Sequence, residues 1–236
     1  YDSLNALAGD DANNAGSDNV AIGVDAMGSL NAGVHNDARA NMNIAIGNSA
    51  FLAGSMADSG TSVSQGNVCI GHEAATTTGT NPQTGITAVG HRALKVLTTG
   101  TSNTAVGYLA ADSVTTGSNN TVLGYEALVD NVVGGSNTAI GRRALYDFVA
   151  DTDTHGWNTA VGNNALYDLT TGTSNTAIGA NAGDIGSNDL TTGDNNTLLG
   201  SETGVSAVGA TNQTAIGYGA VGQANNSVTL GNASVT

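Results

Sequence analysis

One glycine, returning at near-regular intervals, limits what this chain can fold into. It stands at Gly23, Gly47, Gly71, Gly90, Gly107, Gly124, Gly141, Gly162, Gly179, Gly200, Gly217 and Gly231. Most copies read Asn-Thr-Ala-Ile-Gly-x-x-Ala-Leu or close to it, and the commonest interval is 17 residues, within a range of 14 to 24. Self-similarity at such a period marks a solenoid or an array. The residue before the glycine is Ile, Val or Leu in all twelve copies. Two residues earlier, Thr exchanges with Val and Ile, so the position selects a β-branched shape. A glycine that never varies calls for positive φ or a close backbone approach.

The alternation of β-branched and aliphatic residues predicts a short strand with those two columns facing inward. Ala lies between them, and a small side chain there would let a second surface approach. The Ala-Leu pair after the glycine predicts a second short strand, and Thr-Thr-Gly steps such as Thr98-Thr99-Gly100 and Thr170-Thr171-Gly172 predict the turns. A 17-residue unit cannot bury its own core, but stacked units can. The expected fold is all-β: a parallel β-solenoid of about twelve coils. At ~4.8 Å per coil it would be a rod roughly 55–60 Å long. Residues 1–18 read as a lead-in or cap. Residues 19–236 read as one repeat domain, with enlarged loops at 28–42, 53–66, 76–85 and 147–157.

Composition removes several classes of function. Five Lys and Arg against 19 acids leave a net charge of −14, the opposite of a nucleic-acid-binding surface. No run of 18 apolar residues exists to form a membrane-spanning helix, so neither nucleic acid nor membrane insertion is expected. One cysteine, Cys69, cannot build a disulfide framework or a thiolate metal cluster. It lies in the Ala column and is expected to be buried and unreactive. The chain starts at Tyr1 without an initiator Met, as expected of a processed product or part of a longer chain. Large aliphatics make up about a fifth of the residues, a thin core for a lone solenoid.

The Asn-Thr-Ala-Ile-Gly-x-x-Ala copies, and especially Ser227-Val228-Thr229-Leu230-Gly231-Asn232-Ala233, resemble the head repeat of trimeric autotransporter adhesins. They are also similar to the shafts of phage tail fibres and other surface fibres, upstream of an endosialidase-type intramolecular chaperone. The resemblance covers residues 19–234. It implies a left-handed parallel β-roll, assembled as a homotrimer, that serves as a structural and adhesive fibre on a virion or cell surface. The 17-residue coil is longer than the adhesin repeat, and no coiled-coil stalk or membrane anchor accompanies it. This favours a viral or secreted fibre shaft over an autotransporter head. A monomeric solenoid is the plain alternative.

Stacking aligns equal columns. Asn19, Asn43, Asn67, Asn103, Asn120, Asn137, Asn158, Asn175 and Asn196 are expected to form an amide ladder. His72 and His91, then Tyr108, Tyr125 and Arg142, are expected to stack, and Glu73–Arg92 and Glu126–Arg143 to pair. The two histidines would make only an incomplete zinc site. Acids such as Asp184, Asp189 and Asp194 are suited to solvation, with calcium the one cation they could hold; no cofactor is otherwise expected. The loop 147–157 carries the only Trp. Its Asp151, Asp153, His155 and Trp157 form the candidate receptor patch, for a cell-surface glycan or protein. The competing reading has Trp157 capping the core edge or packing on another protomer. No nucleophile elbow or phosphate loop is present, so no catalytic residue is expected. Two other classes remain: an ice-binding solenoid, and a polysaccharide-active β-helix enzyme. Against ice binding, the Thr column exchanges with Val and Ile as a core column would, and a Thr-x-Thr pair on one face is missing from the repeats.

Overall fold

The computed structural model describes residues 18–28, 39–52, 63–76, 81, 83–150, 152 and 156–234. The chain divides into two compact units, residues 1–119 and 120–236. Both are parallel β-solenoid, and no helix occurs among the described residues. None is therefore long and apolar enough to cross a membrane.

In the first unit the strands are β1 (Val20–Ile22), β2 (Arg39–Asn41), β3 (Ile44–Ile46), β4 (Val63–Gln65), β5 (Val68–Ile70), β6 (Thr87–Val89) and β7 (Thr104–Val106). The repeat strands pair in parallel in the order β1-β3-β5-β6-β7, column on column: Val20 beside Ile44, Ile44 beside Val68, Val68 beside Thr87, Thr87 beside Thr104. β2 and β4 close the two longest intervals and pair with each other, Arg39 beside Val63. The ends of the loops expected at 28–42 and 53–66 are thus a second small sheet.

In the second unit the strands are β8 (Thr121–Leu123), β9 (Thr138–Ile140), β10 (Thr159–Val161), β11 (Thr176–Ile178), β12 (Thr197–Leu199), β13 (Thr214–Ile216) and β14 (Val228–Leu230). They pair in parallel and in chain order without a slip of register.

The glycine column has two reasons for its constancy. Its φ lies between +115° and +150° from Gly23 to Gly217, with +76° at Gly231, on the side where L side chains are strained. It also sits against the same glycine one coil on. A Cβ on Gly23 would lie 2.5 Å from the Gly47 oxygen, and one on Gly200 2.8 Å from the Gly217 carbonyl carbon.

Two local expectations are corrected. First, the strand faces are reversed. Ala45, Cys69, Ala88, Ala105, Val122, Ala139, Ala160, Ala177, Leu198 and Ala215 are buried, while the flanking columns are half-buried or exposed. The strand side takes mostly Ala, with Val122 and Leu198 the larger members, because Ala26, Ala93, Ala144 and Ala165 and the leucines that follow fill the coil from the other side. Leu97, Val114, Phe148, Leu169 and Leu190 add a further buried column.

Second, the Ala-Leu segment is no strand. Its residues alternate into the left-handed region: Arg92 at +59° and Leu94 at +52°, Arg143 at +55° and Leu145 at +54°. Its backbone bonds still run between coils, as from Arg92 N to His72 O at 2.9 Å and Leu94 N to Ala110 O at 3.1 Å. A left-handed leucine costs about 1–2 kcal/mol. Full burial of its side chain gives back about 1.5–3 kcal/mol, so the conformation that aims Leu94, Leu128, Leu145 and Leu166 inward survives.

Candidate functional site

The surface is built from columns one residue wide, so each candidate is a stack. The inward Asn column is structural. Asn43 donates to Asn19 Oδ1 at 3.1 Å, Asn67 to Asn43 Oδ1 at 2.9 Å, and Asn196 to Asn175 Oδ1 at 3.0 Å. Most of the Nδ2 groups also reach a carbonyl across the coil, as from Asn175 to Gly193 O at 2.8 Å. Ile86 interrupts the column in the first unit, yet its N–H still donates to Asn67 Oδ1 at 3.0 Å. Asn19 is half-buried; the others are buried and hydrogen-bonded within the coil stack, which leaves nothing for a ligand.

On the corner after the glycine, His72 and His91 stack 5.2 Å apart at 11°, and His91 stacks on Tyr108 at 5.1 Å. Parallel rings one coil apart do not aim two nitrogens at one ion, and a zinc site needs convergent ligands. Beside them Lys95 binds Glu73 at 2.8 Å and Arg92 binds Asp112 at 2.9 Å, with Arg92 only 3.9 Å from Glu73. The hydrogen bond from Lys95 holds the Glu73 carboxyl below its usual range. In the second unit Arg143 binds Glu126 at 2.7 Å and lies over Tyr146, which stacks on Tyr167 at 4.9 Å. Such half-exposed pairs contribute about 0–1 kcal/mol each. Cys69 is buried, and burial pushes its thiol up, away from reactivity.

The acids form a cluster of which the sequence reading named two members, Asp184 and Asp189, and missed the third, Asp168. Asp168, Asp184 and Asp189 each place a carboxylate oxygen within 4.8 Å of the others. Burial, then the neighbouring Asp168 and Asp189, push Asp184 up to about 6, and burial raises Asp130, Asp147 and Asp168. A pointer was present in the sequence: Asp130, Asp147 and Asp168 each stand six residues after a repeat glycine. Oxygen ligands of this kind suit a hard cation such as calcium. Asp194 is occupied elsewhere, since it accepts from Thr173 N at 2.7 Å and Thr173 Oγ1 at 3.0 Å.

Of the receptor patch, Asp151, Asp153 and His155 lie outside the described residues. Trp157 is described. It sits just before β10 with φ +56°, and the residue is 57% exposed. Its N–H donates to Gly135 O at 3.3 Å. The adjoining Gly156 bridges Gly135, and Ser174 N donates to Gly156 O at 3.0 Å. The backbone beneath the ring is therefore tied to the coils on both sides.

Comparison with family models, curated proteins and solved structures finds no match to this chain.

Proposed function

We propose that the chain is a segment of a non-catalytic, extracellular fibre, structural and adhesive, in which the twelve repeats are successive coils and three copies associate. A viral tail fibre or a secreted surface fibre fits best, with a trimeric adhesin head as the alternative setting.

The observation that carries the reading is the outward face of the strands. Each repeat presents one Thr, Val or Ile and one Ile, Val or Leu to the outside, and no copy places a charge at either position. In a lone chain Ile22 is 58%, Leu123 49% and Leu199 43% exposed. A continuous aliphatic column in contact with water is the mark of an interaction surface. On a chain of charge −14 this strip is where like copies can meet without bringing carboxylates together. Three copies meeting there would bury the aliphatic side chains that a lone chain leaves in water.

The mass in solution tests this. The expected value is three times the 23.1 kDa of one chain; a stable monomer at micromolar concentration would remove the reading. One observation favours ice binding as a second reading. The Thr column, expected to point inward, instead lines the outside, with Thr121, Thr138, Thr159, Thr176, Thr197 and Thr214 in register. A monomer that depresses the freezing point below the melting point would support it.

A further inference from the structure

We propose that Trp157 is the stacking platform of a carbohydrate subsite that takes the apolar face of an uncharged pyranose. The proposal rests on the adhesive reading and names the ligand class. Four observations carry it.

The first is conformational. The position two residues before each strand is left-handed throughout: Ser102, Asn119, Ser136, Ser174, Asn195 and Asn212 lie between +51° and +61°. Asn and Ser adopt that conformation at low cost, whereas a bulky aromatic does so only against strain. The fold needs a left-handed residue at this point and has no need of an indole. Met42, before β3, carries the same strain at φ +56°, but Trp157 is the one aromatic at this position of the repeats.

The second is the surroundings. The column neighbours one coil to each side are Ser136 and Ser174, both exposed. Neither can cover the ring as Tyr108 covers His91. Among the described residues no ring or charged group stacks on the indole. The two serines instead supply hydroxyls beside it, the donor and acceptor groups that sugar hydroxyls need.

The third is rigidity. Bonds to the coils before and after hold the backbone at Gly156 and Trp157, so little conformational freedom is lost on binding. The fourth is charge. A chain of net charge −14 disfavours sialylated, uronic or phosphorylated sugars and leaves neutral pyranosides.

Trp157 is the only tryptophan, so emission reports on this ring alone. Cellotriose, maltotriose and chitotriose are titrated against the full chain, and the Trp157→Ala and Trp157→Tyr variants are compared by saturation-transfer NMR on the sugar ring protons. At least one of the sugars should quench or shift the emission saturably. Transfer should fall at least tenfold in Trp157→Ala and persist in part in Trp157→Tyr.

The proposal is overturned if the emission ignores all three sugars, or if transfer survives Trp157→Ala. It is also overturned if the indole is shielded from acrylamide before sugar is added, which would mean that another copy covers it. Equal binding of sialyllactose would overturn the uncharged assignment. The fibre reading fails separately, on the solution mass, and a monomer that binds sugar through Trp157 would leave this inference standing.

Discussion

A repeat glycine and a loop glycine differ here by what a methyl group would meet. At Gly141, φ is +136° and a Cβ would collide with the Gly162 carbonyl of the next coil. Backbone cannot move aside as the tip of a side chain can. Gly141→Ala is expected to cost more than about 3 kcal/mol, conformational strain and steric clash together. Gly66, at +67°, has nothing within 4 Å of a built Cβ. Gly66→Ala should therefore cost only about 1 kcal/mol. Urea unfolding of the two variants measures the gap, and equal losses would contradict the stacking explanation. The amide column invites a similar test at Asn158. Its Oδ1 accepts from Asn175 N and Nδ2 at 3.0 and 3.2 Å, and its Nδ2 donates to Gly172 O at 2.9 Å. Asn158→Leu would leave buried donors and an acceptor unpaired, at about 1–3 kcal/mol for each group. A midpoint shift smaller than that of an exposed Asn163→Leu control would show that the ladder is dispensable.

At the scale of the strand and the turn, legibility divided along chemical lines. The position of every repeat strand could be read from Ile, Val or Leu before an unvarying glycine, because backbone stacking permits no other residue there. The face could not. Alternation with period two fixes that Thr138 and Ile140 share a side and that Ala139 has the other, but it carries no label for inside. The label came from the opposite wall, where Leu145 and Phe148 already fill the coil. The Ala-Leu segment was misread for a related reason. Apolar residues there suggested a strand, while the left-handed backbone at Arg143 and Leu145 follows from the tightness of the corner rather than from any propensity of those residues. The acid stack spans Asp147, Asp168, Asp184 and Asp189 and emerged only once the 21-residue intervals were folded. Its electrostatics predict a pH effect. The folded-state value for Asp184 is about 6, above the ordinary 3.8, so the folded chain binds this proton more tightly than the unfolded one. Stability should rise as pH falls from 7 through 6 and level off below about 4, where the unfolded chain is protonated too. With screening of this half-exposed group, the gain is about 1 kcal/mol. Asp184→Asn should raise the pH 7 midpoint and flatten that slope; a slope unchanged in the variant would assign the effect to other carboxyls.

For the molecule as a whole, the question is what an outward aliphatic strip is doing on so acidic a chain. In each unit the interior is complete without it. The Ala, Leu and Asn columns bury fully within one chain, so Ile178 and Leu199 add little to the fold of a single copy. This separates stability from assembly in a way that substitution can read. A glutamate at a water-facing position of a monomer changes stability within about 0.5 kcal/mol. The same glutamate in an interface between three copies is buried three times over without a cation beside it, and unpaired buried charge costs several kcal/mol. Leu123→Glu, Ile178→Glu and Leu199→Glu are therefore expected to leave the far-ultraviolet spectrum of each chain intact while reducing the sedimenting mass from three chains to one. Ser174→Glu, on the corner beside the strip, should leave the mass unchanged. If the three strip variants sediment with the parent mass, the copies do not meet on this face, and the exposed threonines and aliphatics must be explained by a surface other than this chain's own.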